Sequence, residues 1–478
     1  MSDDFLSVIE KSRRECLDRI EAEKRKLSEQ YFTPFRISHL MAGMFSAVAS
    51  NEKLSVLDPC CGVGNLAAAV LKRSDYSSVV ADCLLIERDN SLACVAAENF
   101  KAEGSVSVIA NDFFQVYDEL KFYDRIIINP PYAKILNKDP VYKTLKERLG
   151  YGETNLYTAF LACCLGRLSE CGELVAIIPR SFCNGPMFKG FRKYLLGSFY
   201  INEIYLFESR ELFSESGVLQ EVLLLKVSRA PCEQVLVSHE SKDGLVKTRE
   251  VPISLICFEG DLQSFIHVPL MEGDENLLSK VSRYTDTLLS LGFRASTGKV
   301  VDFRSLEYLS DVDGPDKTYL LYQHSVTLGG GLNFKTGVSA KPGYINVSFG
   351  SRSRLLVSGN FVVVRRISFK ESRTRIVAAP LLKKAIDRSC IALDNHLNYI
   401  WGESEQLDEG LSKSIYAYLS TSTIDKFIRR FSGHTQINAT DLNSLPIPSI
   451  EMLKSFYRIN SGAQLDVLPE LAEEFFFG

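Results

Sequence analysis

Short, continuous apolar runs of strand length alternate with helical stretches through the first half of this chain, and no other feature constrains its fold as much. The runs fall at residues 55–57, 84–86, 106–109, 125–128 and 174–178, with helical patterns at 66–72, 91–100 and 157–168 between them. Strands that are apolar on both faces must be covered on both faces, and strands joined through helices run parallel. The pattern predicts an α/β fold: a doubly wound, Rossmann-like sheet with helices on either side. Two further runs, at 201–207 and 221–227, are expected to add antiparallel strands at one edge.

Ahead of this region, residues 3–30 read as one charged helix with a sparse apolar stripe of Phe5, Val8, Ile9, Cys16, Ile20 and Leu27. Thr33 stands where an N-cap belongs for a helix over 37–48, and Pro34 resets the chain direction. Beyond residue 230 the rhythm breaks. Pro231, Gly244, Pro252, Gly260 and Pro269 punctuate shorter elements, with a strand expected at 361–367 and a helix at 415–431. A length of 478 residues suits two or three domains. These are predicted as a helical arm at 1–30, the doubly wound domain at 31–235 and a mixed α/β domain at 245–478. The net charge of −4 argues against a surface coated in nucleic acid but permits a local basic cleft. The 12 cysteines form no C-x-x-C pair, so zinc-finger spacing is missing and no metal is expected. The charged N-terminus and the lack of an apolar run near the ~20 residues of a membrane span predict a cytoplasmic protein with reduced thiols.

The first strand runs into Asp58-Pro59-Cys60-Cys61-Gly62-Val63-Gly64-Asn65, and a helix follows at once. Gly62 and Gly64 at such a turn let a ligand approach the backbone closely. Glu87 ends the next strand, where a carboxylate can bind both hydroxyls of a ribose. After the third strand comes Asn111-Asp112-Phe113-Phe114: Asp112 can accept from an adenine amino group and Phe113 can lie against the ring. A dinucleotide would want a third glycine here, and its pyrophosphate would be repelled by Asp58. A carboxylate at that point suits the ammonium of a methionine moiety, which points to S-adenosylmethionine. The plain alternative is three loop carboxylates capping helices.

The fourth strand ends in Asn129-Pro130-Pro131-Tyr132. Two prolines stiffen the backbone and remove two N–H donors. The Asn129 side-chain oxygen and the Pro130 carbonyl can then converge on one amino group. An aromatic amine is a poor nucleophile because its lone pair is delocalised. Accepting both of its hydrogens favours a pyramidal nitrogen and frees the lone pair, so positioning and electrostatics suffice without a strong base. A target base inside a duplex must first be flipped out. Tyr132 and Phe188 are candidate stacking walls; core packing competes for Phe188. Tyr157 and Phe160 share helical spacing, and Phe160 can reach back toward the cofactor adenine.

The order Phe32-Thr33-Pro34, Asp58-Pro59-x-x-Gly62-x-Gly64, Glu87, Asn111-Asp112-Phe113, Asn129-Pro130-Pro131-Tyr132 and Asn155-Leu156-Tyr157 resembles the gamma class of DNA adenine-N6 methyltransferases of bacterial restriction-modification systems, of the Taq and Pst type. The likeness covers the first 230 residues. It continues more weakly through Leu393-Asp394-Asn395-His396 and residues 433–442. It implies a site-specific enzyme that methylates N6 of a flipped-out adenine in double-stranded DNA, the modification partner of a Type II system. Thr33, Pro34, Asp58, Gly62, Glu87, Asp112, Phe113 and Phe160 would hold the cofactor. Asn129, Pro130 and Tyr132 would hold the amine and base, with Phe188 as a second stacking aromatic. The C-terminal half would be a target-recognition domain, the Pst likeness implies the site CTGCAG, and a cognate endonuclease would be a genetic partner needing no contact. Methylating each strand separately fits a monomer. The Cys60-Cys61 pair reads as tolerated variation in the cofactor loop. Pro59-Cys60 lies in the wrong place to be a cytosine-C5 nucleophile.

Basic residues gather late in the chain: Arg352, Arg354, Arg365, Arg366, Lys370, Arg373 and Arg375, then Lys383 and Lys384, then Lys426, Arg429 and Arg430. As a cluster they suit phosphate contacts, with loops reading bases; singly, each suits a solvated surface. Gly329-Gly330-Gly331 suits a close approach to DNA or a plain loop. Two rival functions share parts of this pattern. One is a methyltransferase acting on a protein glutamine or an RNA amine, which carries the same Asn-Pro-Pro-Tyr but generally lacks so long a C-terminal half. The other is a non-catalytic DNA-binding specificity protein, disfavoured by the intact Asp58, Asp112 and Asn129–Tyr132 set.

Overall fold

The computed structural model describes residues 2–19, 32–48, 53–76, 78–208, 221–259, 261–334, 341–368, 372–431 and 436–478. It divides into two compact units: Met1–Cys257 with Gln263–Leu270, and Phe258–Leu262 with Met271–Gly478.

The first unit is built on one nine-stranded sheet. In chain order its strands are β1 (Leu54–Asp58), β2 (Val80–Glu87), β3 (Val106–Ala110), β4 (Tyr123–Ile128), β5 (Leu168–Pro179), β6 (Tyr200–Phe207), β7 (Val222–Ser228), β8 (Gln234–Glu240) and β9 (Val246–Pro252). Their spatial order is β3-β2-β1-β4-β5-β7-β6-β8-β9. β1 to β5 pair in parallel, as the sequence predicts; of the two runs expected as antiparallel edge strands, β7 runs antiparallel between β5 and β6, whereas β6 has the direction of β5, and neither is an edge because β8 and β9 extend the sheet. The central strands are apolar on both faces because helices cover both. On one side lies a core with Leu57, Ile126, Ile128, Leu174 and Ala176. On the other lies a core with Val56, Ile127, Val175 and Ile177.

Among the described residues the α-helices of this unit are α1 (Ser2–Arg19), α2 (Phe35–Gly43), α3 (Asn65–Leu71), α4 (Asn90–Asn99), α5 (Phe113–Val116), α6 (Pro140–Leu149), α7 (Leu156–Gly166), α8 (Lys189–Ser198) and α9 (Ile253–Ile256). α1 is not a separate arm. Ile9 and Cys16 are buried, and Ser12 donates to Asn99 of α4 at 3.0 Å. Ile20 and Leu27 of the expected stripe lie outside the described residues. The expected domain boundary at 235–245 also moves. β8 joins β6 in parallel and β9 pairs back on β8, so the sheet runs on to Pro252. The proline and glycine punctuation there marks strand turns rather than a linker.

The second unit holds two sheets. One is antiparallel, ordered Phe293–Thr297, Leu397–Gly402, Phe361–Arg365 and Ala378–Leu381. The other is mixed, ordered Leu309–Ser310, Tyr344–Asn346, Lys317–Leu321, Cys390–Leu393 and Leu355–Val357, with the third and fourth parallel. The single helix expected at 415–431 is two, Glu409–Leu419 and Ser422–Phe431. Thr421 makes the break: its hydroxyl donates to the Tyr418 carbonyl and accepts from the Ile424 N–H, ending one helix and capping the next. Asp394 is buried and accepts from both the backbone N–H and Nδ1 of His396, which closes the turn between two strands. The glycine run lies against Tyr416, whose ring a Cβ on Gly330 would strike.

Candidate active site

A cavity of about 860 Å³ opens at the carboxyl ends of β1 to β4. Here β1 lies between β2 and β4, so chain connections leave in opposite directions and a crevice is left between them. Gly62, Glu87, Asp112, Phe113, Phe160, Asn129 and Pro131 line it, together with Phe32, Pro59, Cys60 and Phe114.

The loop after β1 owes its shape to two glycines with left-handed backbones. Gly62 has φ +57° and Gly64 φ +90°. Gly64 also begins α3, and a Cβ there would strike the Phe100 ring. The loop is stitched to β2. Cys61 N–H donates to the Ile86 carbonyl at 3.0 Å, and Gly62 N–H donates to Glu87 Oε2 at 2.9 Å. Glu87 Oε1 accepts from Asp89 N–H at 2.8 Å. Burial raises the Glu87 pKa, against the pull of those two N–H groups.

Asp58 is fully buried beneath this loop and is not part of the cavity wall. One carboxylate oxygen accepts from Cys60 N–H at 3.3 Å, and the other, Oδ2, has no partner. Burial first, then repulsion from Glu87, pushes its pKa up to about 8, against the pull of the Cys60 N–H. A buried carboxylate oxygen without a donor is costly and calls for a cation or donor from outside the chain.

Asp112 caps α5 by accepting from Phe114 N–H at 2.8 Å. Phe113 and Phe160 stack on each other at 5.0 Å and 16°, with Phe114 edge-on to Phe160 at 4.8 Å. Both residues expected to touch an adenine ring thus stand together in one wall, joined by Phe114, which no spacing in the sequence singles out.

At the end of β4, Asn129 is fixed by three neighbours. Its Nδ2 donates to Thr33 Oγ1 at 2.9 Å, Tyr132 Oη donates to its Oδ1 at 3.2 Å, and Cys60 Sγ donates to its backbone carbonyl at 3.2 Å. Cys60 therefore braces the corner at the end of β4 and is more than a small residue in a loop. Tyr132 also reaches the Ile177 carbonyl at 3.2 Å and packs edge-on against Tyr157. It is half-buried and absent from the cavity wall, as is the buried Pro130.

Four expectations change. Thr33 is not an N-cap, because Pro34 occupies that position without a side-chain bond. Neither Thr33, only 2% exposed, nor Pro34 lines the cavity; Phe32 does. Gly64 shapes the loop from behind, since its place in front of Phe100 keeps it off the cavity wall. Phe188 is 8% exposed and packs behind Tyr157 at 5.4 Å, because the short helix Pro186–Phe188 turns it inward over Gly185.

In the second unit the expected basic residues separate by environment. Arg375 is 0% exposed and Nη1 donates to the Ser368 carbonyl, so it holds the chain and cannot reach a phosphate. Arg365 is half-buried, with Nε and Nη2 both on the Val326 carbonyl, and burial lowers its pKa. Arg366 donates to the Asn395 carbonyl, Arg354 lies over Tyr308, and Arg429 donates to the Ser372 carbonyl and Asp425. Arg430 is exposed and faces Asp274 at 3.5 Å. Arg352, Arg373 and Lys426 are exposed, as are Lys383 and Lys384. Lys370 and residues 432–435 of the resembling segment lie outside the described residues. No helix among the described residues is long and apolar enough to cross a membrane.

Residues 71–213 match the family model of the Eco57I restriction-modification methylase. The chain is 33% identical over 473 residues to the Type II methyltransferase M.BsuBI of Bacillus subtilis, covering 94% of this chain and 93% of that one. It is 31% identical over 474 residues to the Type II methyltransferase M.PstI of Providencia stuartii, covering 94% and 92%. A shorter match, 32% over 214 residues, links it to the Type II methyltransferase M.AccI of Acinetobacter calcoaceticus, covering 43% and 38%. With about a third of its residues shared over nearly its whole length, and with the restriction-modification methylase model matched from β2 through β6, the chain belongs to the Type II methyltransferases.

Proposed function

We propose that this enzyme methylates N6 of an adenine flipped out of double-stranded DNA, with S-adenosylmethionine as methyl donor. One observation carries the reading: Asn129 and Pro131 line the same cavity as Glu87 and Asp112. An oxygen suited to gripping an amine therefore shares one space with carboxylates suited to a ribose and an adenine.

The residues present fit the cofactor. Glu87 would hold the ribose hydroxyls, Asp112 would accept from the adenine amino group, and Phe113 and Phe160 would supply an aromatic wall. The unpartnered Oδ2 of Asp58 suits an ammonium group. When bound, S-adenosylmethionine supplies a sulfonium methyl, an electrophile that a free nitrogen lone pair can attack.

The rest is done by the chain itself. Asn129 Oδ1 and the Pro130 carbonyl accept the two hydrogens of the amine, which frees its lone pair and sets its direction. Oδ1 accepts from the Tyr132 hydroxyl. The incoming amine replaces that hydroxyl, and the Tyr132 ring, leaving the Ile177 carbonyl as well, turns to stack on the flipped base. The apolar walls Ile135, Val141 and Leu156 keep water from the reaction.

The second unit serves target recognition, with exposed Arg352, Arg373, Lys426 and Arg430 on phosphates. The relationship to M.PstI supports CTGCAG as the site. The enzyme acts as a cytoplasmic monomer beside a cognate endonuclease it need not touch. The test is incubation with methyl-labelled cofactor and unmethylated genomic DNA, followed by sequencing for modified bases. Label at N6 of adenine within one short sequence is the expected result. Label in protein or RNA but not in DNA would overturn the reading.

A further inference from the structure

The side chain of Asn129 presents a general problem. An asparagine amide turned by 180° exchanges its oxygen for its nitrogen, and little in its shape distinguishes the two orientations. Facing an amine, the oxygen accepts a hydrogen bond, whereas the NH₂ group meets hydrogens with hydrogens. Whatever fixes that rotation decides whether Asn129 can work.

We propose that Thr33 is the positioning residue that holds the Asn129 amide with its oxygen toward the target amine. This rests on the reading that Oδ1 of Asn129 grips that amine. Thr33 Oγ1 lies 2.9 Å from Nδ2 of Asn129 and accepts its hydrogen. The Tyr132 hydroxyl, which donates to Oδ1, occupies the site the amine must take. Once the amine has replaced it, the Thr33 bond still anchors the amide through Nδ2.

The local sequence is built to aim this hydroxyl. Pro34 follows Thr33 and restricts it to extended backbone. A β-branched side chain in that setting has few rotamers, so the hydroxyl direction is nearly fixed. The Thr33 carbonyl accepts from Asn65 Nδ2 at 2.6 Å, which ties the segment to the first residue of α3. At 2% exposure, water does not compete for the bond. The two other roles open to Thr33 are filled elsewhere: Pro34 holds the N-cap position, and Phe32 lines the cavity.

The experiment compares Thr33→Val, Thr33→Ser and Asn129→Ala with the parent enzyme, each checked for folding by circular dichroism. Cofactor affinity is measured by calorimetry, and transfer by single turnovers on a DNA duplex at saturating cofactor. Thr33→Val keeps the shape but loses the acceptor; its transfer rate should fall about tenfold or more, as for loss of one buried hydrogen bond, with cofactor affinity unchanged. Thr33→Ser, which restores the acceptor, should recover to within about threefold. A Thr33→Val enzyme that transfers at the parental rate, or whose loss is regained by adding cofactor, would overturn the proposal. If Thr33→Val does not fold, Thr33→Ala is held to the same outcomes. Asn129→Ala separates the two layers: activity in that variant sinks the reading of Asn129 itself. An inactive Asn129→Ala beside a fully active Thr33→Val sinks the role of Thr33 alone.

Discussion

Asp58 makes the free enzyme less stable than it need be, and replacing it with asparagine should show by how much. In the folded protein its carboxyl titrates at about 8, against an ordinary value of 3.8, because it is wholly buried with one oxygen unpartnered. Below pH 3.8 both folded and unfolded chains hold the proton. Between 3.8 and about 8 only the folded chain holds it, so unfolding releases a proton and stability falls as pH rises. The slope is about 1.4 kcal/mol per pH unit, so moving from pH 5 to pH 7 costs the parent about 2.7 kcal/mol that Asp58→Asn does not lose. Glu87, also raised by burial, remains in both proteins and largely cancels from the comparison. The assay is urea denaturation at the two pH values, with hydrogen exchange in the peptide spanning 54–71 as the local probe. The asparagine variant should gain on the parent as pH rises while losing cofactor binding, since it cannot pair with an ammonium. Cofactor binding to the parent should release a proton below pH 8 and tighten as pH increases. Identical pH dependence in parent and variant would mean that Asp58 is already ionised in the fold, and the account of its unpartnered oxygen would fail.

Other substitutions probe the loop, the aromatic wall and the second unit. Gly64→Ala must place a Cβ at φ +90° and against the Phe100 ring. It should cost about 2–5 kcal/mol in denaturant melts, part of it recovered by Phe100→Leu. Phe160→Ala removes half of the stacked pair and should weaken cofactor binding about tenfold or more by calorimetry, with DNA affinity unchanged. Arg375→Met should lower the melting temperature, because a buried guanidinium bond to Ser368 is lost, yet leave the salt dependence of DNA binding intact. Lys426→Ala should do the reverse: an unchanged melt, weaker binding to every duplex and a salt slope smaller by about one.

The site was most legible in the sequence where one backbone position dictates one residue type. Gly62 and Gly64 stand where φ is positive, and Asn129-Pro130-Pro131 stands where a strand must end without donors; these could be placed by residue type alone. The alternation of apolar runs likewise carries the presence of β1 to β5 and their parallel pairing, because strands buried on both faces and joined through helices have little alternative. What stayed hidden depends on side chains meeting across distant parts of the chain. Thr33 is 96 residues from Asn129 in sequence, and a threonine before a proline suggests an N-cap until the partner across the sheet is known. Phe188 has the composition of a stacking wall, and only the turn at Gly185 shows that it faces inward. The basic cluster misled for a related reason. Arginine serves equally well to satisfy buried carbonyls, as Arg365 and Arg375 do, and to meet phosphates, and composition does not separate the two uses. The unpartnered oxygen of Asp58 instead shows what the fold leaves unfinished for a ligand to complete. In the second unit, where surface side chains would read the target, few positions force a residue type. There the sequence alone reveals least about which contacts are made.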